Sequence, residues 1–499
     1  MGKGYKVWFH NNPICEKVIV EREKYEAVLS GYGENDFWIE FLVGSGLWET
    51  MVSMEPTELK KENGKSPRVL NGIEVLRELA DIEAISHCGK ILSDARLMLI
   101  AGFNVEDVKI AKGRNKLVID CETLSNHLAR IGVSSVEHSF TEHVRLLRER
   151  RWIRGKVYAA DAMEIIIPYG KKYENIGQVG SKRGYKLVLL LNITVNRERI
   201  IGFSLAPLQT SEKVMLREML ERLNQEIAPL REWIDVLVMD RGYWGAKYLT
   251  GLKRDFGIDY VTRARDEGLE VVKYIQMCID GGDVKWIWRR EEHSQFGQIK
   301  VGSAGIEDIP LYDEKGNQIG LSNAVVSEER DLKGNSLNNE DGSVRGLIQY
   351  ITSLPTIKNP FKIRNYYRSR WIIENQGFRE LNQRWRIERL AGRKFNTINA
   401  RIAFALMLYN SEHIMKMRHP GAWEDQRYKL SGRWATGLGG LSIVVYTPKG
   451  GLGLFTTRQY GNLIEKAERN RIVNILESAA AQGQTIKEVL ALLHPKENR

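Results

Sequence analysis

Hydrophobic and polar positions between residues 156 and 265 follow the spacing of strands and amphipathic helices in turn. Five short runs are apolar enough for buried strands, and two longer stretches repeat their apolar residues at helical spacing. The pattern predicts strands at 156–167, 184–195, 199–207, 234–240 and 259–265, and helices at 211–227 and 245–257. This stretch is therefore predicted to be an α/β domain.

The order of these elements is three strands, a helix, a strand, a helix and a strand. That is the order of a ribonuclease H-like α/β fold that lacks only its last helix. Residues 266–355 interrupt it with many Gly, Asn, Asp and Ser residues and short alternating segments, which predict an inserted β-rich subdomain. The missing helix is predicted at 360–385, and an apolar helix follows at 399–415. We therefore expect a ribonuclease H-like core interrupted by a β-rich insertion.

The two ends of the chain have different patterns. Residues 1–140 predict mainly helices, most clearly within 66–87 and 93–103. A short amphipathic helix with a capped start is predicted at 119–132, and it is either part of a helix-turn-helix DNA reader or an ordinary short helix. Residues 433–499 predict glycine-rich turns and two polar helices.

A chain of 499 residues is too long for one compact core, so several domains are expected. The predicted regions are a mainly helical N-terminal DNA-binding region (1–150), the first part of the core (151–265), the β-rich insertion (266–355), the closing helices of the core (356–420) and a C-terminal helical region for dimerisation or DNA contacts (421–499).

Positive charge is concentrated in one part of the chain. The formal net charge is +11 and the pI is about 9.2. Residues 358–394 contain eleven Lys or Arg against three Glu, so most of the surplus lies around the predicted closing helix. This balance favours a polyanionic partner such as nucleic acid, although charge also serves solubility.

The cysteines and the apolar runs bear on the compartment. Cys15, Cys88, Cys121 and Cys278 are scattered, with no CxxC pair and no His at metal-ligand spacing. We therefore expect neither a disulfide framework nor a zinc site. The chain shows no apolar core of a signal peptide, and its apolar run at 187–195 is too short to cross a bilayer. A soluble protein of the cytoplasm is expected.

The predicted closing helix carries one stripe of large side chains at alternating steps of four and three residues, which predicts that the stripe is buried. The stripe consists of Tyr367, Trp371, Glu374, Phe378, Leu381 and Trp385. Glu374 is a carboxylate among aromatic and aliphatic residues, where a charge is costly unless something compensates it. Its partner is either Arg370, one turn earlier, or a bound cation.

Two aspartates have similarly apolar surroundings. Asp161 lies within the first predicted strand, and Asp240 ends the fourth and precedes a turn. Each has an ordinary structural explanation, which is a backbone amide for Asp161 and a turn cap for Asp240. In a ribonuclease H-like sheet, however, the first and fourth strands are adjacent and the closing helix packs across them. Both aspartates and Glu374 are then expected to meet at one point.

Three carboxylates at one point repel one another strongly unless cations bind between them. Oxygen-rich sites of this kind suit Mg²⁺ or Mn²⁺. Two such ions can activate an attacking oxygen and stabilise the leaving oxygen of a displacement at phosphorus. The sequence therefore predicts a two-metal phosphodiester site formed by Asp161, Asp240 and Glu374.

These residues resemble a known family, the bacterial insertion-sequence transposases with a DDE catalytic triad. The resemblance is to the insertion-sequence-four group, which has a β-rich insertion before the final glutamate and a signature of Tyr, Arg, Glu and Lys. Tyr367, Arg370 and Glu374 match that signature in order and spacing, and Leu381 stands in place of its Lys. The segment "MDRGYWG" around Asp240 is similar to the motif of the second aspartate.

The resemblance implies Mg²⁺-dependent cleavage at the ends of a mobile element and transfer of the freed 3′-OH into target DNA. It implies double-stranded DNA as the partner and a homodimer that holds two ends together. The contact of the missing Lys then falls to Arg379 or Arg384 or is absent, and Trp286 or Trp288 either stacks on a flipped base or packs within a strand. The expected DNA contacts are Lys362, Arg364, Tyr367, Arg368, Arg370, Arg379, Arg384, Arg386, Trp286 and Trp288.

Three other functions remain open from the sequence. A metal-dependent nuclease that cuts DNA without rejoining it would use the same triad. A transposase-derived DNA-binding protein without catalysis would not require the triad to be intact. A basic protein associated with RNA or ribosomes would not need buried acids at these positions.

Overall fold

The computed structural model describes most of the chain. The described residues are 12–30, 36–58, 64–80, 82, 84–104, 107–108, 118–168, 172–194, 198–264, 269–338, 345–390, 392–418, 442–448 and 452–493. They fall into two compact units, one within Met1–Val136 together with Glu424–Arg499 and one within Glu137–Trp423. The domain boundaries predicted from the sequence stay predictions.

The N-terminal part is mainly helical, as predicted. Its elements are α1 (Asn12–Val20), β1 (Glu26–Ser30), α2 (Asp36–Ser45), α3 (Leu47–Val52), α4 (Pro67–Leu79), α5 (Gly89–Leu92), α6 (Ala95–Ala101), α7 (Cys121–Leu128) and α8 (Val133–Glu149). Helix α7 has the predicted capped start, because the Asp120 side chain accepts a hydrogen bond from the backbone N–H of Glu122. Whether α7 reads DNA stays a prediction.

The unit within Glu137–Trp423 contains a ten-stranded mixed sheet formed by the described residues. The strands are β2 (Val157–Ile166), β3 (Gly177–Val179), β4 (Lys182–Asn192), β5 (Arg199–Pro207), β6 (Val236–Met239), β7 (Asp259–Arg263), β8 (Ile287–His293), β9 (Gly297–Tyr312), β10 (Gln318–Arg330) and β11 (Ile348–Thr352). The helices are α9 (Glu212–Glu226), α10 (Ala246–Phe256), α11 (Glu270–Asp280), α12 (Pro360–Ser369), α13 (Arg379–Gln383) and α14 (Phe395–Arg418).

The strand order follows from the pairing. Adjacent strands run β3-β4-β2-β6-β7-β11-β10-β9-β8, and β5 also pairs with β4. Strand β2 is antiparallel to β4 and parallel to β6, which is parallel to β7. The α/β class is therefore confirmed, and each of the five predicted strands and two predicted helices of the core is present. Their apolar runs are buried on both faces, which is why the sequence located them well.

The strands predicted as an insertion continue the sheet of the core. Strand β11 pairs antiparallel with β7, with Ile351 opposite Thr262, and β10, β9 and β8 follow outward from it. The described residues of this stretch form the four strands β8 to β11 and helix α11, whereas its status as an inserted subdomain stays a prediction. Strand β8 forms one edge of the sheet and contacts α12, as described below.

The closing helix differs from the prediction of one continuous stripe. A π-helical segment, Ile373–Phe378, separates α12 from α13. Its i→i+5 hydrogen bonds add a residue to the turn, so side chains before and after it no longer share one face. Trp371, which precedes this segment, is 58% exposed, which corrects its predicted burial, while Leu381 is buried. Glu374 lies within the π-helical segment, and such segments are frequent at functional sites.

The C-terminal part contains two strands that the sequence did not indicate. Its elements are β12 (Ser442–Tyr446), β13 (Leu452–Thr456), α15 (Thr457–Ala481) and α16 (Ile486–Leu493). Strand β12 pairs with β1 and with β13 in a three-stranded antiparallel sheet. Two helices are present as predicted, although α16 (IKEVLALL) is mainly apolar rather than polar, and the predicted turns at 433–441 lie outside the described residues. No helix in the described ranges is long and apolar enough to cross a membrane.

The cysteines differ from expectation at one pair. Cys88 and Cys121 are joined in a disulfide, with their Cα atoms 6.1 Å apart. Cys15 is buried and Cys278 is partly exposed, and both are free. This single disulfide was not indicated by the sequence, because Cys88 and Cys121 are separated by 33 positions and only the packing of α7 brings them together.

Candidate active site

Register places the two aspartates side by side. In the parallel pair of β2 and β6, Ala160 lies opposite Met239. The next residue along β2 is Asp161, and the next residue after β6 is Asp240. Two carboxylates therefore occupy equivalent positions on neighbouring parallel strands, one within β2 and the other at the carboxyl end of β6.

Arg370 connects these aspartates to Glu374. Its Nη1 lies 2.5 Å from Asp161 Oδ2 and 2.7 Å from Glu374 Oε1, and its Nη2 lies 4.0 Å from Asp240 Oδ1. Because Asp161 and Glu374 contact the same nitrogen, their oxygens are no further apart than the sum of those two distances. The structure thus brings the three predicted acids together around one guanidinium.

Tyr367 completes this group from the same helix. Its hydroxyl donates to Asp240 Oδ1 at 3.2 Å, and its ring centroid is 5.6 Å from the guanidinium carbon of Arg370. The ring of Tyr350 on β11 lies 5.2 Å from that of Tyr367 and supports it from the sheet. Tyr367, Arg370 and Glu374 therefore all face the two aspartates.

The electrostatics of the site reflect burial and crowding. Burial raises the pKa of Asp161 to about 6, although Arg370 lowers it, and the nearby charges of Asp240 and Glu374 raise it further. Burial raises the pKa of Tyr367 to about 12, with the Asp240 charge acting in the same direction. The pKa of Arg370 is raised because its acidic neighbours outweigh the effect of burial. The site thus favours positive charge at its centre.

Two of the three acids have the partner that an ordinary structural role would give them. Asp161 Oδ1 accepts a hydrogen bond of 2.8 Å from the backbone N–H of Ala162, and Glu374 pairs with Arg370. The side chain of Asp240 does not cap the turn that follows it. Asp161 and Glu374 are therefore compensated within the protein, and their shared partner is what joins them into one site.

The donor set fits a hard divalent cation in its chemistry. Asp161, Asp240 and Glu374 offer only carboxylate oxygens, which are the ligands that Mg²⁺ and Mn²⁺ prefer. They are not a ready coordination shell, since no group of three or more acidic, His or Cys side chains in the described part of the chain is arranged to hold a metal. The guanidinium of Arg370 lies among these oxygens, where a cation would be needed.

The predicted DNA contacts on α12 have different environments. Arg364 is only 3% exposed and pairs with Glu291 on β8 and Glu329 on β10, at 2.7 Å and 3.0 Å. Arg368 is 54% exposed and pairs with Glu291 at 2.9 Å. Lys362 is exposed, and its Nζ lies 5.6 Å from the ring of Tyr366. Arg364 is thus committed to carboxylates, whereas Lys362 and Arg368 can be reached from solvent.

The two candidates for the missing signature Lys are also distinguishable. Arg384 pairs with Glu380 and with Glu412, the latter at 3.1 Å, so its charge is already neutralised. Arg379 is exposed at the start of α13. Arg386 has a positive φ of 48° just beyond that helix. Arg379 is therefore the better placed of the two for a phosphate.

Trp286 and Trp288 stack on each other, with ring centroids 5.9 Å apart. Trp288 is 41% exposed, lies 5.1 Å below the Arg330 guanidinium, and packs so closely on Gly302 that a Cβ there would come within 2.8 Å of its ring. Packing on the neighbouring strand therefore explains most of its position. On β8, Trp288 lies on one face of the strand and Glu291 lies on the other. The face that carries Glu291 contacts α12.

Glu291 is the residue that sequence reasoning missed. It binds Arg364 through both carboxylate oxygens and also binds Arg368, so it fixes α12 against β8. Its signal was the alternation in "IWRREEH", which places Glu291 on the same strand face as Ile287. Without the structure, that face had no known partner.

The fold and the site together define an α/β protein with three carboxylates gathered from distant parts of the chain. Comparison with protein families matches residues 152–411 to the transposase DDE domain. This match covers just over half of the 499 residues, and the chain belongs to the DDE transposase family. The comparison with curated proteins finds no match.

Proposed function

We propose that this transposase belongs to an insertion sequence and performs metal-dependent cleavage at the ends of its element, followed by transfer of the 3′-OH into target DNA. The observation that carries the proposal is the contact of Arg370 with Asp161 and Glu374, with Asp240 at 4.0 Å. These acids come from β2, the end of β6 and the π-helical segment, and a purely structural ion pair does not require three of them.

The strand arrangement supports a ribonuclease H-like core. Strands β5, β4 and β2 are antiparallel neighbours, and β6 and β7 continue from β2 in parallel. In this arrangement the first and fourth strands of the core, β2 and β6, are adjacent. The partial signature of Tyr367, Arg370 and Glu374 supports the insertion-sequence-four group, with Leu381 as the departure.

Asp161, Asp240 and Glu374 would hold the divalent ions, Mg²⁺ or Mn²⁺ and two in number. Bound there, the ions would activate the attacking oxygen and stabilise the leaving oxygen of a displacement at phosphorus. Without the ions, Arg370 holds the three carboxylates together. When the ions are bound, Arg370 is available to bind a DNA phosphate. Tyr367 orients Asp240 through its hydroxyl and contacts the DNA backbone near the cut.

Exposed cations near the site would bind the DNA backbone. Lys362, Arg368 and Arg379 are the accessible members of the predicted set, and they would attract phosphates without reading sequence. Trp288 is exposed enough to stack on an unpaired base, which supports a role in a hairpin intermediate. We further propose a homodimer that holds two element ends together in the cytoplasm.

A nuclease that cuts DNA without rejoining it is the second candidate, because the same three acids would serve it. The test uses the full chain with a labelled duplex carrying the DNA that flanks the gene, and a supercoiled plasmid as target. The proposal predicts Mg²⁺-dependent cleavage and joined products that carry the label into the plasmid. Cleavage without joined products would favour the nuclease, and no cleavage with Mg²⁺ or Mn²⁺ would contradict both.

A further inference from the structure

A second positively charged site lies beside α12, on a different face from Tyr367 and Arg370. A cavity of about 450 Å³ opens between the ends of β2 and β4, strand β8 and α12. Arg289 of β8 and Lys362 of α12 line it, together with the amides of Asn359 and Asn365. On α12, Lys362 and Asn365 are three positions apart and therefore share a face.

The two cationic side chains of this cavity, Arg289 and Lys362, each make a cation–π contact with an aromatic ring. The Arg289 guanidinium carbon lies 4.3 Å from the ring centroid of Phe361, and Lys362 Nζ lies 5.6 Å from that of Tyr366. Such contacts orient a positive group without neutralising its charge. No carboxylate pairs with either cation in the described part of the chain, whereas Arg364 on the same helix is fully paired.

The walls of the cavity are fixed by a buried ion pair. Arg289 and Glu291 are two positions apart on β8 and therefore lie on the same face of the strand. Glu291 binds Arg364 and Arg368 of α12. Arg364 is 3% exposed, so this link between strand and helix is shielded from water. It sets the separation of β8 and α12, and with it the positions of Arg289 and Lys362.

We propose that this cavity binds a phosphate of the DNA backbone, separate from the phosphodiester that reacts at the carboxylates. Arg289 and Lys362 would supply the charge, and Asn359 and Asn365 would donate neutral hydrogen bonds. The inference rests on the proposed function only in taking DNA as the partner. It assigns to Arg289 a contact that the sequence did not suggest, and to Lys362 a specific place.

The experiment measures DNA affinity without cleavage. Fluorescence anisotropy in EDTA gives the dissociation constant of a labelled duplex at several NaCl concentrations, for the full-length wild type and for Arg289→Gln, Lys362→Gln and the double variant. Each lost phosphate contact lowers the slope of log affinity against log salt by about 1, so the double variant should lose about 2. An unchanged slope in the double variant would overturn the proposal.

Arg290→Gln is the matched control, because it removes the same charge from the next residue, which faces away from the cavity. Its slope should change clearly less than that of Arg289→Gln, and an equal change would overturn the proposal. Arg289→Lys and Lys362→Arg should retain the wild-type slope, since they keep the charge. Thermal unfolding tests whether these two variants fold. If they fold and their slope of log affinity against log salt is still lower than that of the wild type, the proposal is overturned.

Two further controls distinguish DNA binding in this cavity from the binding of free phosphate and from a failure of cleavage. If inorganic phosphate stabilises the wild type more than the double variant while the DNA slope is unchanged, the cavity binds free phosphate and not DNA, and the proposal is overturned. Because all DNA binding is measured in EDTA, the result does not depend on cleavage. A wild type that fails to cleave would contradict the proposed function and leave this test intact.

Discussion

Arg370 and Asp161 are 209 residues apart in the chain, and they form an ion pair of 2.5 Å that joins the closing helix to the first strand of the core. The Arg370 side chain is 10% exposed and that of Asp161 is 15% exposed. Since Arg370 Nη1 also contacts Glu374, one side chain compensates two acids that would otherwise repel each other. The organisation of the site without metal thus depends on Arg370.

Replacing Arg370 by Ala should destabilise the protein and increase its response to metal. Removing one partner of a largely buried pair typically costs about 3 kcal/mol or more, because the remaining charge has no partner. Mg²⁺ should recover part of that loss, since a ligand that binds the folded state stabilises it. Thermal unfolding with EDTA and with Mg²⁺ measures both effects, and the Mg²⁺-induced rise should be larger in Arg370→Ala than in the wild type.

Arg384→Ala is the control for this prediction. Arg384 also pairs with two carboxylates, Glu380 and Glu412, and its side chain is 24% exposed against 10% for Arg370. Its loss should lower stability without changing the response to Mg²⁺. An equal Mg²⁺ response in wild type, Arg370→Ala and Arg384→Ala would show that Arg370 does not occupy the position of a cation.

The raised pKa of Asp161 predicts a particular pH dependence of stability. The pKa is about 6 in the folded protein against an ordinary value of 3.8, so the folded state holds this proton more tightly than the unfolded chain does. The contribution of Asp161 to the free energy of unfolding should therefore rise as the pH falls from about 6 to about 4. Its size is at most about 3 kcal/mol.

Asp161→Asn isolates this effect, because the amide does not titrate. Urea unfolding in EDTA between pH 4 and 7 gives the difference in free energy of unfolding between wild type and variant. We expect that difference to move in favour of the wild type as the pH falls. A difference that is constant with pH, or that moves the other way, would contradict the buried and crowded environment of Asp161.

Arg364 should behave as a structural residue, although the sequence suggested a DNA contact. It is 3% exposed and satisfies Glu291 and Glu329, so Arg364→Ala should lower the free energy of unfolding by about 3 kcal/mol. Arg368→Ala removes one exposed pair and should cost less than about 1 kcal/mol. The salt dependence of DNA affinity should be lowered by Arg368→Ala and unchanged by Arg364→Ala. The reverse pattern would return Arg364 to the DNA interface.

The sequence predicted the core well because its strands are encoded locally. The apolar runs before Asp161 and before Asp240 are buried on both faces of their strands, and such runs are visible without tertiary information. The pairing of β2 with β6 followed from the order of elements, and it correctly placed the two aspartates side by side. The gathering of the three acids was thus predictable from pattern and topology.

Other features depend on contacts that no local pattern records. Trp371 is exposed and the π-helical segment interrupts the stripe after it, and nothing in the helical spacing indicated either feature. The pairing of β1 with β12 joins residues more than 400 positions apart, such as Val28 and Val444. The role of Arg370 was only half predicted, because its contact with Glu374 is local and its contact with Asp161 is not.

The most direct test of the central claim is single-turnover cleavage of labelled element-end DNA by Asp161→Ala, Asp240→Ala and Glu374→Ala, each beside the wild type with Mg²⁺. DNA affinity measured in EDTA serves as the control for folding and binding. We predict that each variant binds DNA nearly as the wild type does and cleaves at the background rate. Cleavage at the wild-type rate by any one of them would remove that residue from the site and contradict a three-carboxylate mechanism.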